Sequence, residues 1–590
     1  MAKKINGKEY DAWSKEELIK EIVKIKSTTY GLVWHRDLPE EKIDILINPD
    51  ARTPNEMFPN EMAGKPFPVL KEVKGKAIES DKSKLVNLLI EGDNYHSLAV
   101  LNFTHREAVD LIYIDPPYNT GNNDFIYNDK FVPKDDNFRH SKWLSFIEKR
   151  LKLAKFLLKP TGVLFISIDD NEQAPLRMLC DEIFDEKNFV ACIPTIMNLK
   201  GNQDQFGFAG THEYTLVYVK DITQAKIGEF MIVDEDLEEW EEDEIGYFKK
   251  GANLKATGVN APRQKRPNLF FPIFFTTDGN FYISEDNKPK NQKDLKILPI
   301  TDGKEMSWRW GKDKFKNERH NLIIEKNGDV VTIYKKQRPS LGDLPSKKPK
   351  TIFYKPEYSS GNGTSQLKDI FGDKIFNNPK PIDLIKDFVS IASPKDGIIL
   401  DFMAGSGTTG HAVLQLNKDD GGSRSFILCT NNGDEKSKHK IASDICYPRI
   451  KSVIKGYKNI KGENVNGLGG NLKYYTTDFV EAEPTDKNKR KLVKESTDML
   501  CILENAYELI QETQEFKIFK NTDKYVGVIF YEEAIEDYKK AIKKIEGHFN
   551  TYVFSMGDDP HTKKFADVKG KVTLCAIPEV ILKVYREIFK

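Results

Sequence analysis

The chain has 590 residues, with 90 basic and 90 acidic side chains and a formal net charge of zero. That length predicts two to four folded units, and the charge balance excludes a protein that coats nucleic acid by bulk charge, while leaving room for local basic patches. No apolar run approaches the roughly 18 residues of a membrane span, and the N-terminus lacks the apolar core of a signal peptide. The six cysteines (Cys180, Cys192, Cys429, Cys446, Cys501, Cys575) form no Cys-x-x-Cys pair, so zinc ribbons and redox motifs are unsupported and a reducing cytoplasm is expected.

Ser14-Lys15-Glu16-Glu17 predicts a capping box, with Leu18, Ile22 and Ile25 following at helical spacing. The rest of 1–83 is rich in Pro, Asn and Gly and is expected to be an irregular arm. From 84 strands and helices alternate: strand 85–90, a helix through Leu98 and Leu101, strand 109–114, helix 143–159, then strands 163–168, 190–196 and 214–219. Short apolar strands separated by helices predict a parallel-dominated sheet covered on both faces. Residues 221–365 break that rhythm. They are polar and aromatic with short strand-like pieces (280–283, 330–334), as expected of an inserted domain. The rhythm returns with helix 384–391, strand 397–400, a Gly-rich turn, a helix from Thr408 and strand 425–430. The tail, 476–590, predicts helix 492–510, strand 525–530, helix 532–545, strands 552–554 and 572–577, and helix 579–589. There are no internal repeats. The expected organisation is an arm (1–83), one α/β domain in two parts (84–220 and 366–475), an insertion (221–365) and a C-terminal domain (476–590). Acidic residues cluster at 234–244 and basic ones at 312–319, 335–338 and 347–350; each run alone is equally a solvated surface.

Asp115-Pro116-Pro117-Tyr118 directly follows a buried strand, at the carboxyl edge where α/β sheets bind ligands. Two prolines fix the backbone and remove two N–H donors. What remains shows acceptors, the Asp115 carboxylate and the Pro116 carbonyl, which suit the two N–H donors of an exocyclic amine. Accepting both hydrogens restores the lone pair that the aromatic ring withdraws, which is transition-state stabilisation by preorganised acceptors. Tyr118 offers a face for stacking a base, and a duplex base must leave the helix to reach it. A second element runs Asp401-Phe402-Met403-Ala404-Gly405-Ser406-Gly407-Thr408-Thr409-Gly410 after an apolar strand. Its glycines let backbone approach a ligand, the helix N-terminus favours a carboxylate, and Asp401 is placed to take an ammonium. These suit the methionine part of S-adenosylmethionine; the phosphate-loop and dinucleotide fingerprints are both absent. A third element, Gly92-Asp93-Asn94, either caps a helix or binds the adenine or ribose of a nucleoside.

In this order the three elements resemble the β-group DNA amino-methyltransferases. More closely the chain resembles the modification (Mod) subunit of type III restriction–modification systems. That resemblance also rests on Tyr30-Gly31-Leu32-Val33-Trp34, Asn119-Thr120-Gly121, Ile168-Asp169-Asp170-Asn171-Glu172, His212-Glu213-Tyr214, Arg266-Pro267-Asn268-Leu269-Phe270 and Asn378-Pro379-Lys380-Pro381. It implies a circularly permuted, Rossmann-like methyltransferase fold with a mixed seven-stranded sheet, an inserted target-recognition domain and a C-terminal α/β dimerisation domain. Asp115, Pro116, Pro117 and Tyr118 would hold the flipped adenine. Asp93, Asp115, Asn378, Pro379, Lys380, Asp401, Phe402, Ala404, Gly405, Ser406, Gly407, Thr408, Thr409 and Asn431 would hold the cofactor. Related enzymes often carry an acidic residue for the ribose after the strand equivalent to 426–429, where this chain has Thr430-Asn431-Asn432. Expected DNA contacts are Asn119, Thr120, Arg263, Lys265, Arg266, Arg309, Lys335, Lys336 and Arg338. The implied partners are double-stranded DNA, a second copy of the chain and a helicase–nuclease restriction subunit, with no membrane.

A C5-cytosine enzyme is disfavoured, because that chemistry needs a thiol commonly presented as Pro-Cys and no cysteine here follows a proline. N4-cytosine is the chemical rival, although that branch more often shows Ser-Pro-Pro-Tyr. The same motifs would also suit a solitary adenine methyltransferase, an inactive DNA-binding protein on the same fold, or an enzyme that methylates RNA or a protein glutamine. Trp308-Arg309-Trp310 is core or a base-stacking cluster, with core favoured. His140, His212 and His411 share no ligand spacing and are expected to be structural; no metal is implied.

Overall fold

The computed structural model describes residues 14–19, 34, 64–80, 85–121, 124–127, 130–198, 200–201, 207–231, 240–328, 330–339, 346–433, 438–521, 524–555 and 561–589. The predicted positions Ile22, Ile25, 30–33 and 234–239 lie outside them. The capping box is present: Glu17 N–H donates to Ser14 Oγ at 3.3 Å, and Ser14 N–H donates back to Glu17 Oε2 at 2.8 Å.

The chain forms two compact units, one of residues 1–228 with 350–590 and one of 229–349. The first is built on a nine-stranded sheet. Its strands are β1 (Phe67–Glu72), β2 (Val86–Glu91), β3 (Val109–Ile114), β4 (Leu158–Ile168), β5 (Phe189–Ile196), β6 (His212–Val219), β7 (Ile398–Asp401), β8 (Ser425–Thr430) and β9 (Asn471–Val480). Their order is β1-β9-β2-β8-β7-β3-β4-β6-β5. From β9 to β4 all neighbours are parallel, whereas β1, β6 and β5 pair antiparallel. The expected seven strands, β2 to β5 in that order, are therefore extended by β9 and β1. β1 comes from the predicted irregular arm, whose residues 67–70 are buried. Every residue of β3 and β8 is buried, which is why these strands are apolar runs and not alternating patterns.

Helices α1 (Asn94–Thr104), α2 (Arg139–Leu157), α3 (Gln173–Phe184), α4 (Ser360–Phe371), α5 (Ile382–Ala392), α6 (Thr408–Asp420) and α7 (Tyr447–Lys455) complete the α/β part. The central pair is decisive for function. β3 and β7 are hydrogen-bonded neighbours (Leu111 opposite Ile399, Ile112 opposite Leu400), so the segments after Ile114 and Leu400 leave the sheet side by side.

The tail belongs to the same unit. Helix α8 (Asp486–Glu504) buries Leu492, Val493, Met499, Leu500 and Ile502 in the core shared with β1 and α1, so its apolar stripe is spent internally. The predicted helix to 510 is too long. Asn505 takes φ 50° and its N–H closes on Cys501 and Ile502, ending the helix; Glu508–Glu512 is instead the first strand of a five-stranded sheet.

The second unit holds a four-stranded antiparallel sheet (Glu241–Asp243, Gly246–Asn253, Val330–Gln337, Leu322–Asn327) and a three-stranded one. Its core contains Leu254, Phe271, Ile273, Trp308, Trp310 and Phe315, which settles Trp308 and Trp310 as core; Trp308 Nε1 donates to the Phe271 carbonyl at 2.8 Å. The insertion is shorter than expected, because Phe353 hydrogen-bonds along β5 and packs its ring, tilted, 5.3 Å from that of Phe388 within the first unit. Among the described residues no helix is long and apolar enough to cross a membrane.

Candidate active site

Asp115 and Tyr118 emerge from β3 into a buried polar cluster. The Tyr118 hydroxyl lies 2.9 Å from Asp115 Oδ1 and 3.0 Å from Glu213 Oε2, donating to one while accepting from Lys380 Nζ at 2.6 Å. Lys380 Nζ also reaches both Glu213 oxygens (2.6 and 2.7 Å) and lies 3.3 Å from Asp115 Oδ1. Among the described residues Oδ2 of Asp115 is left for an incoming donor. Burial raises the Tyr118 hydroxyl well above its ordinary value, helped by the Asp115 and Glu213 carboxylates, so it stays protonated. Burial pulls Lys380 down, but Asp115 and Glu213 more than reverse this and hold it charged. Burial also raises Glu213, and Lys380 only partly offsets that.

Lys380, expected at the cofactor, is therefore turned toward the Asp-Pro-Pro-Tyr motif. Glu213 carried no assigned role in the sequence. It lies on antiparallel β6, where a single carboxylate in an alternating strand looks like a solvent-facing residue. The motif backbone is pinned by Trp143, whose Nε1 donates to the Pro117 carbonyl at 2.7 Å. Asn119, expected to contact DNA, is fully buried with φ 57°, and its Nδ2 donates to Glu172 at 2.6 Å. It is a support for the motif, and Thr120 N–H is held by Asp124. Glu172 is fully buried, is raised by that burial, and also meets His140 Nδ1 at 2.6 Å.

Beside it, Asp401 ends β7, 3% exposed. Its oxygens accept from Met403 N–H (3.0 Å) and Thr409 Oγ1 (2.5 Å), yet burial pushes the carboxyl to about 7. Gly405 and Gly407 take φ of 48° and 81°, the left-handed region that the turn into α6 requires. Ser406 and Thr408 are buried and accept from Arg449. The Phe402 side chain is in the core and not free for a ligand; its carbonyl accepts from Asn94 Nδ2 at 3.1 Å. Ala404 is buried, while Asn378 is exposed with φ 49° and precedes buried Pro379.

Of its two sequence interpretations, Asp93 shows the helix cap. It caps α1 by accepting from Tyr95 N–H at 2.7 Å, and it pairs with buried Arg150 at 3.1 Å. Although burial opposes ionisation, Arg150 and His96 hold its carboxyl below the ordinary value. Asn431 is exposed and bonds Gly433 N–H; Asn432 donates to Glu91 at 2.5 Å. A carboxylate thus stands at this edge after all, supplied by β2 and not by β8.

Within the second unit, Arg266, Arg309 and Lys335 line a cavity of about 420 Å³ together with Lys314 and Trp310. Lys336 and Arg338 do not offer free cations. Both pair with Asp243, and Arg338 also bonds Asn321 and the Gly246 carbonyl. These bonds hold the Asp243 carboxyl well below its usual range. Arg263 pairs with Glu305 at 2.8 Å, and Lys265 donates to the Val259 carbonyl. His140, His212 and His411 occupy separate surroundings: His140 on Glu172, His212 edge-on to Tyr214, His411 half-buried and held neutral by desolvation of its ring.

A family model described as DNA methylase matches residues 109–443. The chain is 46% identical over 415 residues to the EcoPI Mod subunit of a type III restriction-modification enzyme from Escherichia phage P1, covering 66% of this chain and 64% of that one. It is 34% identical over 391 residues to the StyLTI Mod subunit from Salmonella typhimurium, covering 62% and 55%. The type II methyltransferase M.KpnI from Klebsiella pneumoniae is 33% identical over 387 residues, covering 63% of this chain and 89% of that one. The matched stretch thus spans less than two thirds of either Mod subunit.

Proposed function

The chain belongs to the DNA methylase family, and we propose that it transfers a methyl group from S-adenosylmethionine to N6 of an adenine flipped out of duplex DNA. The observation that carries this is the adjacency of β3 and β7, which sets the Asp115 carboxylate beside the Asp401-to-Thr409 loop.

The loop residues fit the cofactor's amino-acid end. Asp401 is a buried carboxylate and Arg449 a buried cation behind Ser406 and Thr408, and neither has a charged partner among the described residues; a zwitterion brings one charge of each sign to the loop. When bound, the cofactor supplies an electrophilic methyl group. The chain's own residues then handle the amine. Asp115 Oδ2 and the Pro116 carbonyl accept its two hydrogens, which directs the nitrogen lone pair toward the loop. Lys380, shared between Asp115 and Glu213, places a positive charge 3.3 Å from Asp115 Oδ1 and leaves Oδ2 as the acceptor. Asn119, Glu172 and Trp143 fix the turn so that little reorganisation accompanies the reaction.

DNA recognition falls to the second unit, with Arg266, Arg309 and Lys335 as its contacts. The similarity to Mod subunits supports the modification and specificity role in a type III system, acting in the cytoplasm as a homodimer with a helicase–nuclease partner. The test is to express wild type and Asp115→Ala in a methylation-free host and map modified bases genome-wide. N6-methyladenine at one short motif, lost in the variant, is expected. N4-methylcytosine, or no modification with cofactor still bound, overturns the proposal.

A further inference from the structure

Behind the glycine loop stands a cation that the sequence did not point to. Arg449, on α7, is fully buried. Its Nη1 donates to Thr408 Oγ1 at 2.8 Å, to Ser406 Oγ at 3.0 Å and to the Ser406 carbonyl at 3.4 Å. Its Nε and Nη2 have no hydrogen-bond partner among the described residues. Helix α7 presses on the back of the loop: a Cβ at Gly407 would lie 2.9 Å from Cys446 Sγ and 3.5 Å from Ile450.

No carboxylate compensates this charge among the described residues. The ionisable groups around Arg449 are Cys446, Tyr457 and His411. Burial pushes the Cys446 thiol to about 12 and raises Tyr457, and it drives His411 far below its ordinary value, so all three are neutral at pH 7. Arg449 is lowered by the same burial only to about 10 and keeps its charge. A buried cation without a counter-ion is costly, and its cost falls when an anion arrives.

The hydroxyls set the direction. Ser406 and Thr408 both accept from one guanidinium nitrogen and lie 3.4 Å from each other, so neither O–H points at Arg449 and at least one is left to face a ligand. A cation that polarises this hydroxyl pair and leaves a hydrogen of it facing outward at the start of α6 makes a seat for a carboxylate.

We infer that Arg449 is the positioning residue for the α-carboxylate of the ligand's amino-acid head, acting through Ser406 and Thr408 and opposite the ammonium held by Asp401. The inference rests on the cofactor assignment above. Arg449 does not touch the ligand; it orients and polarises the hydroxyl pair that does.

The test is a ligand–protein double cycle read by calorimetric binding. S-adenosylhomocysteine and its decarboxylated analogue, S-adenosyl-3-thiopropylamine, are titrated into wild type, Arg449→Met and Arg449→Lys. Wild type is expected to prefer the carboxylated ligand by roughly 10- to 100-fold, the range of a charge-assisted hydrogen bond. Arg449→Met is expected to reduce that preference to about threefold or less while binding the decarboxylated analogue nearly as wild type does, and Arg449→Lys to fall between. Equal weakening of both ligands in Arg449→Met, or an unchanged preference, overturns the inference and makes Arg449 a loop support only. If Arg449→Met does not fold by circular dichroism, Arg449→Lys carries the cycle, and a carboxylate preference equal to wild type in that variant overturns the inference. Failure of wild type to bind either ligand would refute the cofactor assignment itself.

Discussion

Acidification is expected to weaken ligand binding through Asp401. Burial is the largest influence on this carboxyl and lifts it to about 7; Thr409 and the Met403 amide pull it down without cancelling that, and Asp115 across the edge adds a further upward push. An ammonium binds the ionised form, so it must draw a proton off whatever fraction is protonated. About nine tenths of a group with that value is ionised at pH 8 and about one tenth at pH 6, so affinity should fall roughly tenfold between them, or about 1.4 kcal/mol. Calorimetry with S-adenosylhomocysteine in two buffers of different ionisation enthalpy measures this directly. About half a proton should leave per ligand bound at pH 7. Asp401→Asn should bind weakly and with a flat profile from pH 6 to 8. A flat wild-type profile with no proton release, or an unchanged slope in Asp401→Asn, would show that this carboxyl does not receive the ammonium. The linkage also runs through stability. Because the folded value lies above the unfolded one, the stabilisation is present below about pH 4 and lost as pH rises through 7, so ligand should raise Tm more at pH 8 than at pH 5.

Other outcomes test the remaining assignments. Lys380→Met removes the partner of buried Glu213 and should cost about 3 kcal/mol in unfolding free energy and most of the methylation rate. Its affinity for S-adenosylhomocysteine should change less than about threefold, and a loss above tenfold would return Lys380 to the cofactor side. In the second unit, Arg338→Ala should lower Tm through loss of the Asp243 bonds and leave the salt dependence of DNA binding alone, whereas Arg266→Ala should reduce that slope by about one. The opposite pattern would exchange their roles. Asp498, raised to about 7 by burial and by Glu495 and Glu72, destabilises the folded chain as pH rises from 4 to 7. Asp498→Asn should therefore raise Tm at pH 8 and not at pH 4, and equal shifts at both would reject the linkage.

The legible parts of the site are those whose chemistry is local. Asp115 to Tyr118 and Asp401 to Thr409 each gather a whole set of chemically telling groups in one turn, and the apolar strand before each announces its position. Glu213, Glu91 and Arg449 act through partners on other strands or helices, and nothing in their own neighbourhoods distinguishes them from solvated charges. The same blindness runs in reverse for Lys336 and Arg338. A basic run looks like a DNA surface until Asp243, from an acidic run far along the chain, is placed against it. Asn119 misleads for a related reason: its position in a conspicuous motif suggests contact with substrate, but its positive φ turns it into the core. The end of the helix predicted over 492–510 is legible in principle, since Asn505 is a residue type that tolerates the left-handed stop.

The pairing of β3 with β7 explains why so long an insertion is compatible with the chemistry. The register of Leu111 with Ile399 is fixed by hydrogen bonds at the centre of the sheet, and a one-residue slip would exchange the two faces of β7 and turn Asp401 away from its present partners. Asp115 and Asp401 are thus held by the sheet and not by the chain between them. Chain can be added after β6 at a cost that grows only as the logarithm of loop length, about 0.6 kcal/mol per doubling. The cross-strand ties converge on the same edge: Lys380 reaches back to Glu213 on β6, and Asn94 after β2 bonds the carbonyl of Phe402 after β7. Precision at the proposed methyl-transfer site therefore rests on contacts made within the first unit, and sequence changes inside 229–349 should alter which DNA is modified before they alter how fast.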